Sequence, residues 1–151
     1  MLKIAIASDH GGYDLKKDII TFLQKLNYAY FDFGCNNKES VHYPDYAEKV
    51  CNSIINKESD CGILICGTGI GMSIAANKYQ GIRASLCHDT FSARKSKEHN
   101  NANVLALGGR VISIGLAGDI IKTWLTTDFS NEERHKLRLT KIENINNNST
   151  I

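Results

Sequence analysis

The chain lacks any apolar run long enough to cross a bilayer, which excludes a helical membrane span. It lacks a Lys/Arg block, and its net charge is only +2, so neither pattern nor total favours nucleic acid as a partner. Its five cysteines, at positions 35, 51, 61, 66 and 87, include no C-x-x-C pair. An odd count without that motif argues against a disulfide framework and against a zinc ribbon. The N-terminal segment MLKIAIASDH sets a charge inside a short apolar run and shows no signal-peptide cleavage pattern. The expectation is a cytoplasmic protein that binds neither membrane nor nucleic acid.

What remains suits an ordinary core. The apolar share is 42% and the charged share 23%, and 151 residues correspond most simply to one domain. That domain is expected to span residues 1–143, with 144–151 (NINNNSTI) as a polar, frayed tail. Short apolar, β-branched runs at Lys3–Ala7, Ala29–Phe33, Gly62–Cys66, Ile82–Leu86 and Val104–Leu107 read as strands buried on both faces. Helical patterns separate them. Leu15, Ile19, Phe22, Leu23 and Leu26 share one face of the first. Pro44, the only proline, suits the start of the second. Others are expected at 70–78, 91–99, 114–125 and from about Asn131 to Glu143, the last capped by Ser130. Strand–helix alternation of this kind predicts a single-domain, Rossmann-like α/β/α sandwich around a parallel sheet.

In such sheets, ligands bind beyond the carboxyl ends of the strands. Ser8-Asp9-His10-Gly11-Gly12 follows the first predicted strand, and Cys66-Gly67-Thr68-Gly69-Ile70-Gly71 ends the third. Cys87-His88-Asp89 follows the fourth and Gly108-Gly109-Arg110 the fifth. Four of the five strand ends therefore bring polar or glycine-rich chemistry to one rim. The loop Gly67–Gly71 precedes a helix, so it fits a tight turn or an anion-binding cradle equally well. It is not a Walker A loop, because no Gly-Lys-Ser/Thr follows, and not a dinucleotide fingerprint, because Met72 stands where the third glycine would be needed. Cys66 lies between strand and helix, a setting that favours a thiolate, whereas Cys35, Cys51, Cys61 and Cys87 read as inert buried thiols. Asp9 either caps the first helix or holds sugar hydroxyls, and His10 beside it suits an anion. His99 and Asn100 end a helix, where the dipole favours a charged imidazole and hence a general acid. Arg134 and Arg138, four apart, share a helix face that suits a phosphate monoester or plain solvent. Arg110 points to the rim. His42, His88 and His135 have no comparable setting and read as structural.

Several stretches together carry a resemblance. These are D-H-x-G-x-x-L-K at Asp9–Lys16, Y-P-D-Y-A at Tyr43–Ala47, and the block GILICGTGIGMSIAANK at Gly62–Lys78. They are joined by G-I-R-A at Gly81–Ala84, S-x-x-H-N-x-A-N-V-L at Ser96–Leu105, G-G-R-V at Gly108–Val111 and R-H-x-x-R at Arg134–Arg138. The chain resembles the type B ribose-5-phosphate isomerase family, which also includes galactose-6-phosphate isomerase, over residues 3 to about 143. The resemblance implies a five-stranded sheet and the isomerisation of D-ribose 5-phosphate to D-ribulose 5-phosphate in the pentose phosphate pathway. It implies Cys66 as base, His99 as the ring-opening residue with Thr68 helping to move the proton, and Gly67, Thr68, Gly69, Ile70 and Gly71 as the enediolate loop. Substrate contacts fall on Asp9, His10, Asn100, Arg110, Arg134 and Arg138. It also implies a homodimer or homotetramer whose sites are shared between subunits. No cofactor is expected, and His and carboxylates show no metal-ligand spacing. A six-carbon sugar phosphate (galactose 6-phosphate or allose 6-phosphate) is the alternative substrate. A non-catalytic sugar-phosphate sensor on the same fold is the alternative role.

Overall fold

The computed structural model describes residues 2–145. The tail expected to fray from Asn144 lies outside the described residues beyond Ile145. Five strands occur in the order expected: β1 (Lys3–Ser8), β2 (Ala29–Asp32), β3 (Cys61–Cys66), β4 (Ala84–Leu86) and β5 (Val104–Gly108). They form one parallel sheet in the spatial order β2-β1-β3-β5-β4. Six helices connect or follow them: α1 (Tyr13–Lys25), α2 (Tyr43–Ile55), α3 (Ile70–Ala76), α4 (Thr90–Asn100), α5 (Ile114–Leu125) and α6 (Glu133–Glu143). Among the described residues, no helix is long and apolar enough to cross a membrane.

Alternation along the central strands builds two unequal faces. Ile4, Ile6, Ile63, Ile65, Leu105 and Leu107 point to one side, where α1 and α5 supply Leu15, Ile19, Leu23, Ile120, Ile121 and Trp124. The other side carries the smaller Ala5, Ala7 and Ala106 with Leu64, Cys66 and Val104, and α2 and α3 close over it through Ala47, Val50, Met72 and Ala76. Fully burying one Leu or Ile side chain stabilises by about 1.5–3 kcal/mol, so these two layers dominate the fold. Helix α6 belongs to neither layer, and His135 is its only buried residue.

Four expectations need correction. Strands β2 and β4 are not buried on both faces; they are the sheet edges and stay partly exposed. Strand β4 begins at Ala84 rather than Ile82, because Gly81 has φ +81° and Ile82 N–H closes a turn on Tyr79. Helix α3 stops at Ala76 rather than Lys78, where the Asn77 side chain turns to bond both N–H and C=O of Ala84. Ser130 does not cap α6. Asn131 is left-handed at φ +56°, so the helix can begin only after it, and the Ser130 hydroxyl accepts from Glu132 N–H in the preceding turn.

One ion pair sits inside. Lys16 on α1 is 1% exposed, and its Nζ reaches both oxygens of Asp32 at 2.6 and 2.8 Å. Asp32 also accepts from Gly34 N–H at 2.9 Å, so the end of β2 is tied to α1 and to the turn after it.

Candidate active site

Three loops at the carboxyl end of the sheet are knitted together by their backbones. Asp9 N–H donates to Ile65 C=O (3.1 Å), Gly109 N–H to Cys66 C=O (2.8 Å) and Arg110 N–H to Gly67 C=O (3.0 Å). The approach is too close for side chains at two positions. A methyl group on Gly12 would meet Ile65 O at 2.6 Å, and one on Gly109 would meet Gly11 O at 2.8 Å. Gly69 is required for a further reason: its φ is +77°, and it turns the chain from β3 into α3.

That turn aims Gly69 N–H at Cys66 Sγ, 3.1 Å away. Cys66 is 5% exposed and lies on the α2/α3 side of the sheet. The hydrogen-bond sense separates it from its neighbours. Cys35 and Cys51 donate through sulfur to backbone carbonyls, and Cys35 Sγ also lies 3.8 Å from Ser8 Oγ with either atom able to donate, whereas Cys66 Sγ accepts from a backbone N–H. A backbone N–H aimed at sulfur is a donor that a thiol accepts weakly and a thiolate strongly. Burial instead pushes the thiols of Cys51 and Cys61 up to about 12 and that of Cys87 up to about 11, the Cys87 thiol against an opposing hydrogen bond with Ser96.

Around this sulfur the rim is built from side chains the sequence singled out. Asp9 is buried and its Oδ1 accepts from Gly12 N–H at 3.0 Å in the turn before α1, but it does not cap the helix, whose N-cap is Gly12 with no side-chain cap bond. His10 Nδ1 accepts from Val41 N–H at 3.2 Å, which leaves Nε2 to meet a ligand. Thr68 is exposed, and its hydroxyl accepts from Ile70 N–H at 3.3 Å. The Arg110 guanidinium lies over Gly67, where an added methyl would come within 3.4 Å of Nη1. Two neighbours escaped the sequence reading. The Tyr43 ring covers Gly71, leaving 2.6 Å for a methyl there, and His88 Nε2, buried beside Gly108, has no hydrogen-bond partner among the described residues. Tyr43 stood inside a quoted motif; His88 followed a strand end, and both signals were available.

The remaining site residues lie elsewhere. Register pairs Cys66 with Gly108 and Gly62 with Val104, so β5 runs from the level of one strand end to the other. At ~3.3 Å per residue, its four steps cover roughly 13 Å. His99 and Asn100 end α4, and the chain from there enters β5 at Val104, at the amino end of the sheet. One chain therefore does not bring His99 and Asn100 to Cys66. The turn is fixed where it stands: Asn101 is left-handed at φ +45°, Arg83 Nε donates to Asn101 C=O (3.1 Å), and Arg83 Nη1 pairs with Glu143 of α6 (2.7 Å). A cavity of about 400 Å³ opens beside it, lined by Tyr79, Arg83, Ser85, Asn100 and Glu143 among others.

Helix α6 lies against this end. The His135 ring stacks on the His99 ring with centroids 4.3 Å apart and planes 12° from parallel. Burial, then the neighbouring His99 and Arg134, hold His135 below the usual imidazole range. Arg134 is exposed and pairs through Nε with Glu132 at 2.7 Å; Arg138 is exposed on the same helix. The candidate residues thus fall into two groups at opposite ends of one sheet. Among the described residues, no group of three or more His, Cys, Asp or Glu side chains is arranged to hold a metal ion.

Comparison with known proteins identifies the family and the fold. The ribose/galactose isomerase family model matches residues 4–142. The chain is similar to a putative sugar phosphate isomerase, YwlF, of Bacillus subtilis, with 54% identity over 93% of this chain and 95% of that protein. It is 46% identical to a D-erythrulose-4-phosphate isomerase of Pectobacterium atrosepticum, over 85% of this chain and 86% of the other. Among solved structures it superposes on the ribose-5-phosphate isomerase B of Clostridium thermocellum with a TM-score of 0.95 and 52% identity, covering 97% and 98% of the two chains. The chain belongs to the ribose/galactose isomerase family. It is accordingly an enzyme of the aldose–ketose isomerase class.

Proposed function

We propose that the chain interconverts D-ribose 5-phosphate and D-ribulose 5-phosphate by proton transfer through an enediolate, the step of that chemistry in the pentose phosphate pathway. The observation that carries this reading is the Gly69 N–H aimed at Cys66 sulfur inside the glycine loop. A thiolate so held is a base, and the loop around it offers N–H groups to a developing oxyanion. The names of the similar proteins, ribose-5-phosphate isomerase B among them, support the substrate class.

The complete site takes Asp9, His10, Cys66–Gly71 and Arg110 from one subunit and His99, Asn100, Arg134 and Arg138 from a second copy. The split between the two sheet ends supports this division, and it makes the homodimer the smallest working unit. Arg134, Arg138 and His10 clamp the phosphate. His99 protonates the ring oxygen as the C1–O bond breaks, and the C1 hydroxyl passes its proton through Thr68 to water. Cys66 thiolate then takes the proton from C2, and charge moves to the C1 oxygen. The C2 hydroxyl proton passes to that oxygen, and the thiol returns its proton to C1. No metal or cofactor enters these steps.

Cys66→Ala is the direct test. It should abolish both turnover and exchange of solvent deuterium into the substrate while leaving substrate binding nearly intact. A Cys66→Ala enzyme that still turned over would remove the base, and a native chain without exchange would be a sensor. The relative named for a four-carbon ketose phosphate keeps other chain lengths in view. Parallel assays on four-, five- and six-carbon aldose phosphates decide among them by kcat/KM.

A further inference from the structure

Helix α6 buries one side chain, and it is a histidine. His135 is 3% exposed, and its Nε2 has no hydrogen-bond partner among the described residues. Burying an imidazole nitrogen without a partner costs free energy that an aliphatic side chain of similar size would not incur. Packing alone is therefore a poor account of this residue. What an imidazole offers and a leucine lacks is a flat π face, and that face lies 4.3 Å from the His99 ring, 12° from parallel. His99 has little else to fix its plane. It sits on the last turn of α4, with Asn101 left-handed two residues on, and no hydrogen bond of its ring nitrogens is seen among the described residues.

The charges around the pair are consistent with a division of labour. Arg134 and Arg138 add positive charge near His135, Glu132 opposes them, and Glu98 lies beside His99. His135 is held below the usual imidazole range by burial first and by the neighbouring cationic groups second. A neutral ring stacked on a ring that carries a proton attracts it through its π face. Two charged rings in the same stack would repel.

We propose that His135 is a positioning residue for His99, holding the plane of its ring while it opens a cyclic sugar phosphate. The proposal rests on the reading of His99 as the ring-opening residue. It separates two halves of the reaction. Ribose 5-phosphate is a closed furanose, so it needs ring opening before Cys66 can act. Ribulose 5-phosphate cannot close to a furanose, because its 5-oxygen carries the phosphate. Exchange of solvent deuterium into its C1 position therefore needs Cys66 and not ring chemistry.

The test compares His135→Leu and His135→Phe with the native enzyme in two assays: turnover of ribose 5-phosphate, and deuterium exchange into C1 of ribulose 5-phosphate. In His135→Leu, kcat for turnover should fall by ~10-fold or more while exchange stays within ~2-fold, because a positioned proton donor is worth about 10²–10⁴ in rate and its platform a share of that. His135→Phe, which restores a π face without a ring nitrogen, should recover most of the lost turnover. Exchange serves as the control for folding, since a damaged protein loses both activities. Equal turnover in all three proteins, loss of both activities together, or a Phe variant as impaired as the Leu variant would each overturn the proposal. His99→Asn is run beside them. If it loses exchange or keeps turnover, the assignment of ring opening to His99 fails, and that failure is visible whatever the His135 variants do.

Discussion

The two ends of the sheet are built by different means. At the carboxyl end, backbone meets backbone: glycines at 12, 69 and 109 let three loops approach within hydrogen-bonding distance, and the Cys66 sulfur is held by an N–H. At the amino end, side chains of α4 and α6 meet, His99 on His135, and Arg134 and Arg138 stand exposed. The first end has a backbone cradle but neither His99 nor the paired arginines; the second has both and no cradle. Under the proposed function such a chain depends on another copy, and each end should respond to damage in its own way.

The largest effect tests that dependence. Cys66→Ala and His99→Asn should each be inactive alone. Mixed after subunit exchange, they should recover about one quarter of native activity, because half the dimers are mixed and each mixed dimer of two-fold symmetry has one intact site. Mixing without recovery would place both residues in a site within one subunit. Next comes Arg138→Ala, which should raise KM for phosphorylated substrates by ~10–100-fold, the worth of one charge-assisted hydrogen bond, with little change in thermal stability. An unchanged KM would remove Arg138 from the phosphate site. Gly69→Ala should show the opposite pattern. Strain at φ +77° and a clash 2.5 Å from Leu86 Cδ1 should cost about 1–3 kcal/mol in denaturant unfolding and lower kcat as Cys66 loses its N–H. The smallest effect is in pH. His135 is held below 6.5 in the folded chain, so the unfolded chain binds its proton first. Its contribution is complete above pH 6.5 and is lost as pH falls through the folded value. The fall in melting temperature on acidification should therefore be shallower in His135→Phe than in the native protein.

Much of this was legible before the fold was known. Apolar periodicity gave every strand and helix its place in the order, because buried strands and amphipathic helices differ in repeat. Residues at strand ends announced the rim, since parallel strands all finish on one side. Edge position was only partly legible: the runs at 29–33 and 82–86 carry Asp32, Arg83 and Ser85 where the runs at 62–66 and 104–107 are wholly apolar, but only pairing in the order β2-β1-β3-β5-β4 leaves them outside. The division of the site was hidden for a related reason. His99 reached the list through its helix end and through resemblance, and neither says that a helix returning from β4 delivers its last residues to the far side of the sheet. His135 was passed over because a lone histidine on a polar helix carries no sign of the ring it will lie against.

The buried lysine of α1 has a practical consequence. With its ammonium enclosed by Asp32 and 1% exposed, Lys16 is shielded from amine-acylating reagents while Lys17 beside it is open to them. The pair forms an internal clock: the ratio of label on the two neighbours reports how often the seam between the first helix and the outer strand comes apart, residue by residue and without any inserted probe.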